Sequence, residues 1–190
     1  VHSNRMIFEK GKKYLITGKS GGGKSILTLI LTGNLTAFKG EVYLNDKRIE
    51  DISYKSLQKE ISYIPQNASL FHDTIRNNIT SYEEIEDERL LEMIDRFQLQ
   101  DRFPTIESLE QVYTEESSLS GGQIQRIILI KALLENKKWI ILDEAISALD
   151  RELYRKIEQE LLQLENRTVI HISHREESLV NALYDEVIQL

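Results

Sequence analysis

Residues 18–25 read Gly18-Lys19-Ser20-Gly21-Gly22-Gly23-Lys24-Ser25, which matches the phosphate-binding pattern G-x-x-x-x-G-K-[ST]. The apolar stretch Lys13–Thr17 (KYLIT) runs directly into it, and residues 25–35 have the composition of a helix. This context predicts a strand, a glycine-rich loop and a helix. Backbone N–H groups of such a loop, together with the positive end of the helix, form an anion site. The alternative, a plain glycine-rich turn, does not account for both flanks.

The whole loop, from Gly18 to Ser25, is therefore predicted to hold the phosphates of a nucleotide. Lys24 would place a point charge at the β- and γ-phosphates. The Ser25 hydroxyl would bind Mg²⁺. ATP with Mg²⁺ is the ligand that this arrangement favours.

A second apolar strand delivers two carboxylates at its end. Residues 139–144 read WIILDE, so Asp143 and Glu144 follow directly on the strand. Ligands of open α/β sheets gather at the carboxyl ends of the strands, where the phosphate loop also lies. Asp143 is then the expected Mg²⁺ ligand, and Glu144 the general base that polarises the attacking water. Without the phosphate loop, a strand ending in solvated acids would explain this pattern equally well.

The stretch Leu119-Ser120-Gly121-Gly122-Gln123 (LSGGQ) stands directly before a helix predicted at 123–134. A Ser and two glycines at a helix start make a second anion site, by the same N–H and dipole argument. An ordinary Ser N-cap followed by flexible glycines is the alternative. The residues alone leave both interpretations open.

The composition limits the possible partners. The chain has 24 Lys+Arg against 31 Asp+Glu, a formal net charge of −7, which argues against nucleic acid as a partner. It has no cysteine, so disulfides and thiolate metal sites are excluded. No apolar run approaches the roughly 18 residues that span a bilayer. Any link to a membrane is expected to come through a partner or a segment outside this sequence.

Apolar strands alternate with helical segments along the chain, which predicts an α/β fold. We expect a P-loop nucleoside triphosphatase core, a mainly parallel sheet with helices on both faces, together with a small antiparallel β portion. Residues 67–122 contain few strand patterns and predict an inserted helical lobe, and residues 1–66 and 123–190 form the core. Strands are predicted at Lys13–Thr17, 41–44, Ile61–Ile64, 139–142, Thr168–Ile172 and 186–190, and further helices at 83–99 and 151–164.

The ordered set of motifs resembles the nucleotide-binding domain of ABC transporters, and the resemblance covers nearly the whole chain. LSGGQ is that family's signature, whereas a P-loop alone points only to nucleoside triphosphatases in general. The resemblance implies an ATP hydrolase that powers transport. The motifs are the P-loop, Pro65-Gln66, LSGGQ, WIILDE, Ser147-Ala148-Leu149-Asp150 and Ser173-His174.

The resemblance also implies roles for single residues. Gln66 would contact Mg²⁺ or water and sense the membrane partner, and His174 would be the switch histidine at the γ-phosphate. The signature residues Ser120 to Gln123, with Gly121 and Gly122 between them, would bind ATP held by the opposite subunit. Asp150 would belong to the D-loop, at the interface between the two subunits. The implied partners are a transmembrane domain and a second nucleotide-binding domain in an ATP-dependent head-to-tail dimer, at the cytoplasmic face of the membrane.

Residues 69–79 (SLFHDTIRNNI) resemble the exporter pattern after the Q-loop, although a partly buried loop and helix start is the plainer interpretation. Residues 112–116 (VYTEE) depart from the exporter "VGE" segment.

Only residues 1–17 precede the P-loop, so the adenine-stacking aromatic residue of relatives is expected upstream of Val1, and Tyr14 is expected in the core. The chain is interpreted as part of a longer polypeptide with an N-terminal membrane domain.

Three other functions remain as alternatives. A non-transport ABC ATPase of the chromosome-maintenance type would need a long coiled coil between the P-loop and the signature, and residues 25–119 show no sustained heptads. A gate that binds ATP without turnover is disfavoured because Glu144 and His174 are both present. An importer ATPase is disfavoured only by residues 69–79.

Overall fold

The structure, a computed structural model, describes residues 5–19, 21–114, 116–117, 119–147, 149–174 and 183–190. Its centre is a five-stranded sheet in the order β4-β5-β6-β1-β7, in which every neighbouring pair is parallel. All five strands therefore end at the same edge, which we call the carboxyl edge. The strands are β1 (Lys13–Thr17), β4 (Ile61–Ile64), β5 (Trp139–Asp143), β6 (Thr168–Ile172) and β7 (Glu186–Gln189).

The central strands of this sheet are buried throughout. Every residue of β5 and of β6 is buried, as expected for interior parallel strands with continuous apolar sequences. The edge strand β7 is mostly exposed. Tyr14 on β1 is 1% exposed and packs edge-on against Phe8, so its predicted place in the core is confirmed.

A two-stranded antiparallel sheet accompanies the main sheet, as predicted. It pairs β2 (Tyr43–Leu44) with β3 (Lys47–Arg48). Strand β2 is shorter than the strand predicted at 41–44. The turn between them uses Asn45 and Asp46 with φ of 52° and 64°. Tight hairpins need two left-handed residues at this point, and Asn and Asp adopt that conformation more readily than most. With the parallel sheet and its helices, the predicted fold class is confirmed.

Two α-helices precede β4 in the chain: α1 (Lys24–Leu31) and α2 (Tyr54–Glu60). Helix α1 begins one residue earlier than predicted and ends four residues sooner. It stops because Thr32 closes its last turn and Gly33 adopts φ 72°. Helix α2 was not predicted from the sequence; its start is capped by the Ser53 side chain, which accepts from the Ser56 N–H.

The remaining helices are α3 (Ile75–Thr80), α4 (Asp87–Arg96), α5 (Gly121–Leu134) and α6 (Arg151–Gln163). Helix α4 is shorter than the predicted 83–99, because Glu86 before it has a non-helical ψ of 138° and Gln98 after it has a positive φ. Its inner side buries Leu90, Met93 and Ile94, while Leu91 is only half-buried. Helix α3 packs against α5.

Residue contacts divide the chain into two compact units. The first contains Val1–Gln66, Lys137–Glu144 and Arg155–Leu190, and the second contains Asn67–Asn136 and Ala145–Tyr154. The predicted division has the same boundary after Gln66 but counts 123–136 and 145–154 with the core. The predicted subdomain assignment therefore stays a prediction. No helix among the described residues is long and apolar enough to cross a membrane.

Candidate functional site

The loop after β1 leads into helix α1, whose start has no side-chain cap. Gly23, the N-cap of α1, has φ 90° and offers no side chain to the N–H groups of the first turn. Those N–H groups and the positive end of the helix are the elements of an anion site. Ser20 of the predicted phosphate set lies outside the described residues.

Gly18 is required for a steric reason. It has φ 143°, and a Cβ at this position would come within 2.1 Å of the Leu190 carbonyl oxygen. The backbone of Leu190 approaches because its N–H donates to the Thr17 carbonyl at 2.9 Å. Only glycine fits between the end of β1 and this neighbouring backbone.

Lys24 is buried at the start of α1, with 5% of its surface exposed. Its ammonium donates to the carbonyls of Gly18, at 2.9 Å, and Lys19, at 3.0 Å. These bonds fold the long side chain back over the loop. The charge is therefore held beside the backbone of the predicted phosphate loop, where a bound phosphate would replace carbonyl partners with a stronger acceptor.

Asp143 ends β5 and is 4% exposed. Its Oδ1 lies 3.4 Å from the Ser25 hydroxyl at the start of α1. Adjacent ligands of an octahedral Mg²⁺ with bonds of 2.0–2.1 Å are about 2.9 Å apart. A small adjustment would let both oxygens face one cation, so these residues fit Mg²⁺. No cluster of three or more His, Cys, Asp or Glu able to hold a metal occurs among the described residues. A cation here would complete its shell with phosphate oxygens and water, as Mg²⁺ commonly does.

Two residues that the sequence patterns did not single out surround this carboxylate. The Thr28 hydroxyl lies 3.2 Å from Asp143 Oδ2. Tyr63, on the neighbouring strand β4, has its pKa raised by burial and, to a smaller extent, by the negative charge of Asp143. Thr28 is three residues after Ser25 and is a polar residue on the buried side of a largely apolar helix. That position could have identified it.

The three predicted catalytic residues meet at the carboxyl edge. Glu144 Oε2 accepts from Gln66 Nε2 at 2.9 Å, and its Oε1 lies 2.5 Å from His174 Nε2. Glu144 is mostly buried, with 15% of its side chain exposed, while 41% of the His174 side chain is exposed. The carboxylate is thus held at both oxygens and faces the edge where the P-loop strand also ends.

The strand register explains why these residues meet. Asp143 pairs with Ile172 across β5 and β6, so the residues that follow each strand lie close together. The Glu144 N–H donates to the Ile172 carbonyl at 3.1 Å. Glu144 also adopts φ 54°, a left-handed conformation that costs roughly 1–2 kcal/mol for a non-glycine residue. Such local strain is frequent at functional sites.

The histidine inside β6 has a different environment. His171 is 1% exposed, and its Nδ1 lies 2.6 Å from the Tyr184 hydroxyl. That hydroxyl donates to Glu158 Oε1 at 2.7 Å. His171 therefore belongs to a buried polar network and is a structural residue.

The signature residues, in the second unit, form a complete capping box at the start of α5. The Ser120 Oγ accepts from the Gln123 N–H at 3.2 Å, and the Gln123 side chain accepts from the Ser120 N–H at 2.8 Å. The N-cap that was the alternative interpretation of this motif is therefore present. It does not exclude an anion site, because the Ser120 hydroxyl proton is not used as a donor in the capping bond. The N–H groups of Gly121 and Gly122 also lie in the first turn, ahead of any helical acceptor.

Asp150, also in the second unit, immediately precedes helix α6. Its Oδ1 accepts from the N–H groups of Glu152, at 3.1 Å, and Leu153, at 3.0 Å. This is the geometry of a helix N-cap. Among the neighbouring D-loop residues, Ala148 lies outside the described part of the chain.

We expect Asp150→Ala to lower the free energy of unfolding by about 1 kcal/mol, because two N–H groups lose their acceptor. Thermal unfolding should show a decrease in Tm of about 2–4 °C. Asp150→Asn is the matched control, since it retains an oxygen acceptor and should stay within a few tenths of a kcal/mol. An unchanged Tm in the Ala variant would contradict the capping role.

The stretch 69–79 combines buried and exposed positions. Ile75 and Ile79 are 2% and 1% exposed, whereas Phe71 is 69% exposed. The Lys131 ammonium of α5 lies 5.6 Å from the centre of the Phe71 ring. The Thr74 side chain caps α3 by accepting from the Asn77 N–H. The partly buried loop and helix start expected here is therefore present.

Comparison with known proteins gives one family. The profile of the ABC transporter family matches residues 1–147. The ATP-dependent lipid A-core flippase of Pasteurella multocida is 38% identical over 193 aligned positions, which cover 95% of this chain and 31% of the flippase. A glutathione/L-cysteine transport system ATP-binding/permease protein of Haemophilus influenzae is 36% identical, over 90% of this chain and 31% of its own length.

A solved structure supports the same fold. The chain of a bacterial Atm1-family ABC exporter with ATP bound superimposes with a TM-score of 0.84 and 24% identity, covering 96% of this chain and 32% of the exporter chain. This likeness concerns the fold. The present chain spans less than a third of the length of these relatives.

Proposed function

The chain belongs to the ABC transporter family, and from this we propose that it binds ATP with Mg²⁺ at the carboxyl edge and hydrolyses it to power export through a membrane domain. The observation that carries the proposal is the position of Glu144. Its carboxylate lies between Gln66 and His174, at the same edge of the sheet as the loop that leads into α1. An exporter is favoured over an importer by residues 69–79 and by the names of the relatives.

The phosphates of ATP would lie against the first turn of α1. The N–H groups after Gly23 would donate to them, and Lys24 would turn its ammonium from the carbonyls of Gly18 and Lys19 toward the β- and γ-phosphates. Ser25 and Asp143 would hold Mg²⁺, which neutralises charge that develops on the phosphate oxygens. Each of these residues lies on α1, on the loop before it, or at the end of β5.

Glu144 would take the proton of the attacking water. A general base must lie within hydrogen-bond reach of that proton, and its orientation must be kept during the reaction. Gln66 and His174 supply the orientation, because each holds one oxygen of the carboxylate. With Glu144 ionised, the 2.5 Å contact requires His174 to donate its Nε2 proton. His174 could then exchange this contact for the γ-phosphate when ATP is bound.

We propose that a second nucleotide-binding domain completes the site. The Ser120 hydroxyl and the N–H groups of Gly121 and Gly122 would form an anion site at the start of α5, in the second unit, whereas the P-loop belongs to the first unit. In a head-to-tail pair each signature would close over ATP on the partner's P-loop, which is a closed two-fold arrangement. A membrane domain would then place both copies at the cytoplasmic face of the membrane. The two named relatives carry different substrates in their names, so the proposal leaves the exported substrate open.

ATP-dependent pairing provides the test. We expect the Glu144→Gln chain to form a dimer with saturating Mg²⁺-ATP, because blocked hydrolysis preserves the ATP that joins the two copies. Adding Ser120→Trp should leave it monomeric, since the bulky ring occupies the partner's phosphate position. Multi-angle light scattering measures the state, and nucleotide occupancy is determined in the same sample.

Ser120→Ala in the same Glu144→Gln background is the matched control for the loss of the helix cap. It removes the same capping oxygen without adding volume, so any loss of pairing beyond this control is steric. A dimer in the Trp variant with ATP bound would contradict the head-to-tail proposal. Monomers with normal ATP occupancy would support it.

A further inference from the structure

Thr28 connects the predicted metal-binding carboxylate to helix α1. Its side chain is completely buried, at 0% exposure, on an otherwise largely apolar helix. The hydroxyl lies 3.2 Å from Asp143 Oδ2 and 2.8 Å from the Ser25 carbonyl one turn earlier. A buried threonine that only closed its own helix would need the second contact alone.

The two contacts share one hydroxyl proton. A threonine hydroxyl has a single donor, so it serves one acceptor or divides the proton between both. An ionised carboxylate accepts more strongly than a helix carbonyl, and the Ser25 carbonyl can also be served by the helix backbone. Asp143 is therefore the partner for which the Thr28 hydroxyl matters.

The contacts on the Asp143 carboxylate divide between its two oxygens. Oδ1 faces the Ser25 hydroxyl, and Oδ2 faces Thr28. Since Ser25 is the residue expected to bind Mg²⁺, Oδ1 is the oxygen available for the cation. A donor at Oδ2 prevents the carboxylate from rotating and keeps Oδ1 in place.

Tyr63 contacts the same carboxylate from the adjacent strand. Tyr63 pairs with Ile141 across β4 and β5, two residues before Asp143. The phenol is half-buried and forms side-chain hydrogen bonds with Asp143 and Thr28. Helix α1, β4 and β5 thus each contribute a polar group at this point.

We propose that Thr28 is a positioning residue for the magnesium site: its hydroxyl holds Asp143 Oδ2 so that Oδ1 and the Ser25 hydroxyl face the same cation. This inference rests on the proposed function, in which Asp143 and Ser25 bind Mg²⁺ with ATP. Thr28 does not touch the nucleotide and acts only through the carboxylate. Residues that orient metal ligands in this way commonly change metal affinity by 10–100-fold when they are replaced.

The variants that test it differ by single atoms. Thr28→Val keeps the branched shape and removes the hydroxyl, and Thr28→Ser keeps the hydroxyl and removes a methyl group. At a fixed ATP concentration, we expect Thr28→Val to raise the Mg²⁺ concentration that gives half-maximal ATP binding by about tenfold. Thr28→Ser keeps the hydroxyl, so its Mg²⁺ requirement should stay close to that of the wild type. A role limited to helix packing predicts the opposite order, because Val preserves the packing better than Ser.

The measurement is calorimetric binding of ATP over a series of Mg²⁺ concentrations and in EDTA. The electron paramagnetic resonance signal of Mn²⁺ with ATP gives an independent measure of the cation site. Thermal unfolding of each variant shows that it is folded. ATP affinity in EDTA should be the same in all three proteins, since Thr28 acts on the cation and not on the phosphates.

The outcomes separate this inference from the proposed function. If the wild-type chain shows no Mg²⁺-dependent binding of ATP, the proposed function itself fails. If the wild type shows it and folded Thr28→Val has the same Mg²⁺ dependence, only the positioning role is overturned. If Thr28→Val weakened ATP binding in EDTA as much as in Mg²⁺, the positioning role would also be overturned, because the effect would then lie in the phosphate loop.

Discussion

Glu144→Gln is expected to lower the rate of ATP hydrolysis by about a hundredfold or more while ATP remains bound. The amide has nearly the shape of the carboxylate but cannot accept the proton of the attacking water. Its oxygen can still accept from Gln66 or from His174, so the surrounding geometry should persist. Phosphate release measured under conditions that saturate the site with Mg²⁺-ATP checks the rate, and equilibrium binding checks occupancy.

Glu165→Gln is a suitable control, because Glu165 is an exposed carboxylate in the turn before β6. It alters the net charge by the same amount and should leave turnover unchanged. Equal turnover in wild type and Glu144→Gln would falsify the assignment of the base. Absence of turnover in both proteins, with ATP bound, would favour the gate that binds ATP without hydrolysing it.

The strands were the most predictable part of the fold. The bounds of β1, β4 and β6 agree with the sequence prediction residue for residue, since each is a short, mainly apolar run followed closely by a glycine, a proline or a catalytic motif. The two interior strands among them, β1 and β6, have no exposed face, so their apolar runs end where burial ends. Helix ends were less predictable because they depend on single turn residues, such as Gln98 with φ 53° after α4.

The residues of the site were predicted, but most of their contacts were not. That Gln66, Glu144 and His174 meet depends on the strand order β4-β5-β6, which sequence patterns along the chain do not specify. The resemblance to a family supplied Gln66 and His174, and the end of the strand at 139–144 supplied Glu144; the parallel register explains why they converge. The contact between Thr28 and Asp143 joins residues 115 positions apart and has no local signature. The separate capping roles of Ser120 and Asp150 were visible only as a general preference of Ser and Asp for helix starts.

Lys24→Ala is expected to weaken ATP binding by about a hundredfold or more, because it removes a buried ammonium whose bonds to phosphate are charge-assisted. The Gly18 and Lys19 carbonyls would also lose their donor, so the loop would hold its shape less firmly. Lys39→Ala removes an exposed positive charge from the segment after α1 and is the matched control for net charge. Calorimetric titration with ATP in EDTA isolates the phosphate contacts from the cation, and thermal unfolding shows that each variant is folded. Unchanged affinity in folded Lys24→Ala would overturn the assignment of this loop as the phosphate site, whereas a loss shared by Lys39→Ala would mean that net charge alone, and not the position of Lys24, attracts the nucleotide.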